Sequence, residues 1–239
     1  YSDTSFAAAT DEPLTQPDVK EDKTAPTYSF QTDLSAYEPY MCPEDVDGYL
    51  ILVNKTTTID ASYVPSNIVN VADSRSDRTE RMVETAEKAL EAMFIELRAA
   101  GYTDVSVTSG YRTYEKQEYL YNLYTEREMK AGISREEAQK IVDTYSAKPG
   151  TSEHQTGLCM DLIVGGANPV LDESFADHAC YRWLGENAHK FGFILRFPKG
   201  KETVTGYSYE PWHYRFVGVE AATEIYRRGI TLEQYLEKY

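Results

Sequence analysis

The sequence predicts an α+β fold, a central antiparallel sheet flanked by helices. Three observations carry this. Arg78 to Ala100 repeats apolar residues at helical spacing, and two short runs, Val105–Thr108 and Leu158–Val164, read as strands. Helices and strands then mix without the regular βαβ rhythm of a parallel sheet.

In chain order, residues 1–38 are rich in Ser, Thr, Ala, Asp and Pro and show no sustained periodicity. They read as a flexible acidic tether, the alternative being a tail that packs on the surface. The tether is drawn at 1–47 and one folded domain at 48–239. Tyr49–Val53, reading YLILV, is predicted as the first strand. In the helix after it, Met82, Val83, Ala86, Ala89, Leu90, Met93, Phe94 and Leu97 form one buried face, and Gly101 supplies the stop. Val105 to Thr108 alternates as a half-buried strand and leads into Ser109-Gly110-Tyr111-Arg112. Thr113 caps a helix to about Lys130, and Ser134 with Glu137 forms a capping box for the next. Ala147 to Gly150 is a loop. Asp177–Phe191 is a helix with Trp183, Leu184, Ala188 and Phe191 inward, ended by Gly192. Phe193–Phe197 and His213–Val217 are strands. Helices Glu220–Arg228 and Leu232–Lys238 close the domain, the last with a Thr231/Gln234 capping box.

The 239 residues suffice for one sizeable domain plus a tail, and 41% hydrophobic with 13% aromatic content is ordinary for a globular core. A net charge of −15 and a pI near 4.7 argue against a nucleic-acid partner. The charge is partly local, since residues 1–47 hold eleven Asp/Glu against two Lys. No apolar run approaches the ~18–20 residues that span a bilayer. No signal peptide is visible, but the chain opens at Tyr1 rather than Met, as expected of a processed or truncated chain. Cys42, Cys159 and Cys180 make no disulfide framework. Either Cys159 and Cys180 are bridged or all three thiols are reduced. The twenty tyrosines are dispersed rather than gathered on one face.

Chemistry concentrates in Ser152-Glu153-His154-Gln-Thr-Gly157-Leu-Cys-Met-Asp161. An imidazole on a Gly-bearing loop precedes a carboxylate seven residues on, inside an apolar strand. One imidazole and one carboxylate cannot hold a metal, so a further ligand must come from elsewhere. His213, three residues after Glu210, supplies it. Two His, one Asp and a spare Glu suit a catalytic zinc ion with an open fourth position. His178 and His189 lie on a predicted helix without carboxylates arranged around them and are read as structural. Arg112 follows a strand end, where side chains project into a cleft, and a guanidinium can clamp a carboxylate or developing oxyanion. Gln117, one helical turn on, can add a polar contact.

Ser109-x-x-Arg112, Ser152-x-His154-x6-Asp161 and Glu210-x-Trp212-His213 resemble the D-alanyl-D-alanine carboxypeptidases of the VanY type. These are zinc peptidases grouped with VanX dipeptidases and, more remotely, lysostaphin-type endopeptidases and hedgehog domains. The resemblance spans roughly residues 48–229. It implies a zinc site in a cleft at the sheet, with one Zn2+ on His154, Asp161 and His213 and Glu210 as general base. Arg112 and Ser152 would bind the substrate carboxylate or polarised carbonyl, with Gln117 as a secondary contact. Cys159 departs from the small Ala usual there; it either packs as a small apolar residue or pairs with Cys180.

The expectation is thus a monomeric enzyme that removes the C-terminal D-alanine from peptidoglycan stem peptides. It would act on the cell-wall side, secreted or tethered through a segment this chain lacks. Two enzymatic alternatives are an L,D-carboxypeptidase on tetrapeptide stems and a D-Ala-D-Ala dipeptidase. A catalytically silent zinc-containing binding module is the alternative of another class, and the presence of both Glu210 and Arg112 weighs against it.

Overall fold

The computed structural model describes residues 26–165 and 171–237. Strands β1 (Ile68–Asn70) and β2 (Arg81–Val83) form a small antiparallel ribbon. The main sheet contains β3 (Val105–Ser109), β4 (Cys159–Val164), β5 (Phe193–Leu195) and β6 (His213–Phe216). Its order is β3-β4-β6-β5 and every pairing is antiparallel, as expected from the sequence. Around the sheets lie α1 (Glu38–Met41), α2 (Glu84–Ala99), α3 (Tyr114–Met129), α4 (Arg135–Val142) and α5 (Ala179–Asn187). The last three are α6 (Glu202–Thr205), α7 (Val219–Arg228) and α8 (Leu232–Leu236).

The helix α2 lays Ala86, Leu90, Met93 and Leu97 on the sheet, against Val107, Met160, Leu162 and Phe216. Each large side chain buried there contributes roughly 1.5–3 kcal/mol. A smaller cluster, with Ile194, Val217, Ile225 and Leu232, fixes α7 and α8 to β5. The caps formed where the local sequence placed them. Thr113 accepts from the Lys116 amide, and Ser134/Glu137 and Thr231/Gln234 close reciprocal boxes.

Three expectations need correction. Tyr49–Val53 is not a strand, because the carbonyls of Tyr49 and Ile51 both accept from the buried Arg215 guanidinium at 2.8 Å and do not enter a ladder. The helix expected from Arg78 begins at Glu84, since Arg81–Val83 pairs with Ile68–Asn70 instead. The helix expected over Asp177–Phe191 is an α-helix only to Asn187 and finishes as a 3-10 turn, Ala188–Phe191, before Gly192. All three cysteines are free thiols. Residues 1–25 of the acidic segment lie outside the described residues; further on, Leu34 and Met41 are buried in the main core. Among the described residues no helix is long and apolar enough to cross a membrane.

A buried ionic cluster lies under the sheet's active face. Glu153 Oε1 accepts from Arg196 Nε and from Arg215 Nη1, each at 2.7 Å. Arg196 also donates to both oxygens of Glu233, at 2.6 and 2.9 Å. Both guanidiniums are fully buried, so these pairs are tied by geometry as well as charge.

Two glycines set the approach to the site. Gly157 ends the 3-10 turn Glu153–Thr156 at φ 68°, a left-handed conformation that side chains disfavour. Gly110 runs so close to β2 that a Cβ would stand 2.4 Å from the Arg81 carbonyl oxygen. Gly110→Ala is therefore expected to cost about 1–3 kcal/mol, read as a lowered Tm. An unchanged Tm would mean that the two backbones separate freely.

Candidate active site

Adjacent strands carry the polar row. Across the sheet Ser109 on β3 is registered with Asp161 on β4, and Asp161 with His213 on β6. His154 sits on the 3-10 turn just before β4 and is held from the other side by the chain at 110–112. Its carbonyl accepts from the Arg112 amide at 3.0 Å. Its Nδ1 lies 2.7 Å from the Gly110 carbonyl oxygen. A carbonyl can only accept, so Nδ1 carries the hydrogen and Nε2 keeps its lone pair. His213 is arranged in the opposite sense. Its Nε2 faces Glu153 Oε2 at 3.4 Å, and its Nδ1 is turned inward.

Both inward nitrogens then meet one carboxylate. His213 Nδ1 is 2.9 Å from Asp161 Oδ1, and His154 Nε2 is 3.3 Å from Asp161 Oδ2. Lone pairs aimed at carboxylate oxygens repel unless a positive charge stands between them. A proton can serve: burial lowers the His154 pKa, but the charges of Cys159 and Asp161 carry it up to about 9. A divalent cation serves better, because two imidazoles and a carboxylate offer it three donors at once. The donor set fits a metal ion of the zinc kind.

Glu210 stands beside this set, with Oε2 3.7 Å from His213 Nδ1. Burial, with the Asp161 charge, pushes its carboxyl up to about 7 against the opposing pull of His213. That places a proton acceptor near neutrality at the edge of the donor set. Arg112 donates from Nη1 to Ser109 Oγ at 2.8 Å, while its buried Nε has no partner. Gln117 donates to the Ala147 carbonyl at 2.7 Å and leaves its buried Oε1 unpaired. Both side chains line the same cleft of about 450 Å³, with Ser152, His154, Asp161, Glu210 and His213 on its wall. The structure thus brings together all seven residues singled out from sequence.

His178 and His189 lie elsewhere, His189 stacked on Tyr226 with ring centroids 3.9 Å apart. Sequence reasoning missed Glu153. It adjoins His154, but nothing local marks it, because its partners Arg196 and Arg215 come from β5's end and from β6. Tyr207 also lines the cleft unforeseen, beside Trp212, which the sequence offered only as part of the Glu210-x-Trp212-His213 motif.

Comparison with known proteins identifies relatives of this chain. The VanY family, described as D-alanyl-D-alanine carboxypeptidase, matches residues 79–219. A D-alanyl-D-alanine carboxypeptidase of Enterococcus faecalis (strain ATCC 700802 / V583) is 41% identical over 193 residues, covering 81% of this chain and 67% of that protein. A putative carboxypeptidase, YodJ, of Bacillus subtilis (strain 168) is 38% identical over 199 residues, covering 82% and 69%. Among solved structures, the LdcB LD-carboxypeptidase superposes with a TM-score of 0.70 at 36% identity, covering 82% of this chain and 88% of that one. A mutant vancomycin-resistance D,D-pentapeptidase VanY in complex with Zn(II) gives 0.66 at 39%, covering 80% and 99%. The cleft geometry and these likenesses lead to one assignment: the chain belongs to the VanY family of D-alanyl-D-alanine carboxypeptidases.

Proposed function

We propose that this chain is a zinc-dependent D,D-carboxypeptidase that removes the C-terminal D-alanine from peptidoglycan stem peptides. The observation that carries it is the pair of imidazoles whose outer nitrogens are engaged, so that both inner ones converge with Asp161 beside Glu210. His154, Asp161 and His213 would hold the metal. Bound there, zinc supplies Lewis acidity and lowers the pKa of water from 15.7 toward about 7. Glu210 takes a proton from the attacking water and delivers it to the departing amine. The guanidinium of Arg112 and the amide side chain of Gln117 line the cleft and are the polar groups offered to substrate. Arg112, with Ser152, meets its carboxylate or the oxyanion that develops on the scissile carbonyl, and Gln117 adds a secondary contact. The catalytic unit takes in residues before 48 as well, since Leu34 and Met41 belong to its core, and it acts as a monomer on the wall side, secreted or tethered there.

Likeness to an LD-carboxypeptidase structure favours a second reading, hydrolysis of the L,D bond in tetrapeptide stems. Incubation with penta- and tetrapeptide stems, with and without chelator, separates the two by product mass. Loss of one D-Ala from the pentapeptide, abolished by chelator and restored by zinc, is the expected result. Trimming of the tetrapeptide alone overturns the D,D assignment, and chelator-insensitive trimming overturns the metal.

A further inference from the structure

Cys159 opens β4 two residues before Asp161, and side chains two apart on a strand face one way. The strand therefore delivers a sulfur and a carboxylate to the same side. Cys159 is fully buried, yet it belongs to neither apolar cluster, whereas the buried Cys180 packs in the main one. Its surroundings are the donor set. One donor atom each from His154, Cys159 and His213 lie within 4.8 Å of one another. Donors around a tetrahedral zinc ion with bonds of about 2.0–2.3 Å stand roughly 3.5 Å apart, so the three atoms are already gathered near a common centre and have to draw in by about 1 Å to ligate one ion. The imidazoles are independently prepared for this, since Gly110 and Glu153 occupy their outer nitrogens.

We propose that Cys159 is itself a metal ligand, so that the centre of this chain has four protein donors, two imidazoles shared between a carboxylate and a thiolate. The proposal rests on the zinc reading above. The thiol hydrogen is lost to solvent when sulfur ligates. Four protein donors still leave a fifth position, a coordination number that catalytic zinc sites reach. A sulfur ligand also tilts the preference of the site toward softer cations than an imidazole–carboxylate set alone would favour.

The test is spectroscopic. The protein is cleared of metal, reloaded with cobalt(II), and its near-ultraviolet absorption compared with that of Cys159→Ala and of Cys180→Ala. A sulfur-to-cobalt charge-transfer band is expected in the wild type and in Cys180→Ala, and its loss is expected in Cys159→Ala. X-ray absorption on the zinc-loaded wild type should show a sulfur neighbour at about 2.3 Å. This measurement decides the matter even if Cys159→Ala folds poorly. Cobalt uptake without the band, or a zinc shell of nitrogen and oxygen alone, overturns the thiolate ligand and leaves the zinc reading standing. Failure to take up either metal overturns both.

Discussion

Glu210→Gln is expected to lower kcat on a stem pentapeptide by about 10²–10⁴-fold while metal content stays at the wild-type level. The amide keeps the size and burial of the side chain but cannot accept the proton that the attacking water must shed. Glu210 is 3.7 Å from His213 Nδ1, farther than Asp161, so its removal strips no donor from the metal. Metal content by elemental analysis and turnover by product mass are measured on the same preparation. A variant that hydrolyses at the wild-type rate shows that another group is the base, and one that has lost its metal shows that Glu210 is a ligand.

Glu153→Gln is expected to act on stability and on the metal together. Glu153 accepts from two fully buried guanidiniums and faces His213 Nε2, so an amide there turns a donor toward donors. Removing one partner from a buried ionic cluster costs about 3–5 kcal/mol. Losing the carboxylate behind a ligating imidazole weakens metal binding by about 10–100-fold. Urea unfolding and a chelator competition read the two effects separately; neither changes if Glu153 merely fills space. Burial would raise the Glu153 carboxyl, but the Arg196 and Arg215 charges hold it well below its ordinary 4.5. Its contribution to stability is therefore complete at neutral pH, begins to fall once the pH drops below that ordinary value, and goes on falling in stronger acid.

What the sequence disclosed was local. Thr113, Ser134 and Thr231 announce helix starts because capping is settled within four residues. The alternation at Val105–Thr108 and the apolar run ending in Val164 announce strands for the same reason. His154, Asp161 and His213 stand out because imidazoles are few and carboxylates lie at suitable spacing. The YLILV run misled because its apolar side chains say nothing of where its carbonyls go, and those go to Arg215, 164 and 166 residues away. β1 and β2, three residues each, are too short to show a period. Glu153 was invisible because its meaning depends on Arg196 and Arg215, 43 and 62 positions distant.

The two imidazoles are aimed by partners of different kinds, one a main-chain oxygen at Gly110 and the other the side chain of Glu153. A peptide carbonyl survives any side-chain replacement, so the aim of His154 is disturbed only by a change that shifts the backbone, as a Cβ at Gly110 would. The aim of His213 hangs on a single replaceable side chain. Of the two outer partners, Glu153 is therefore the one through which a side-chain change alone can retune an imidazole.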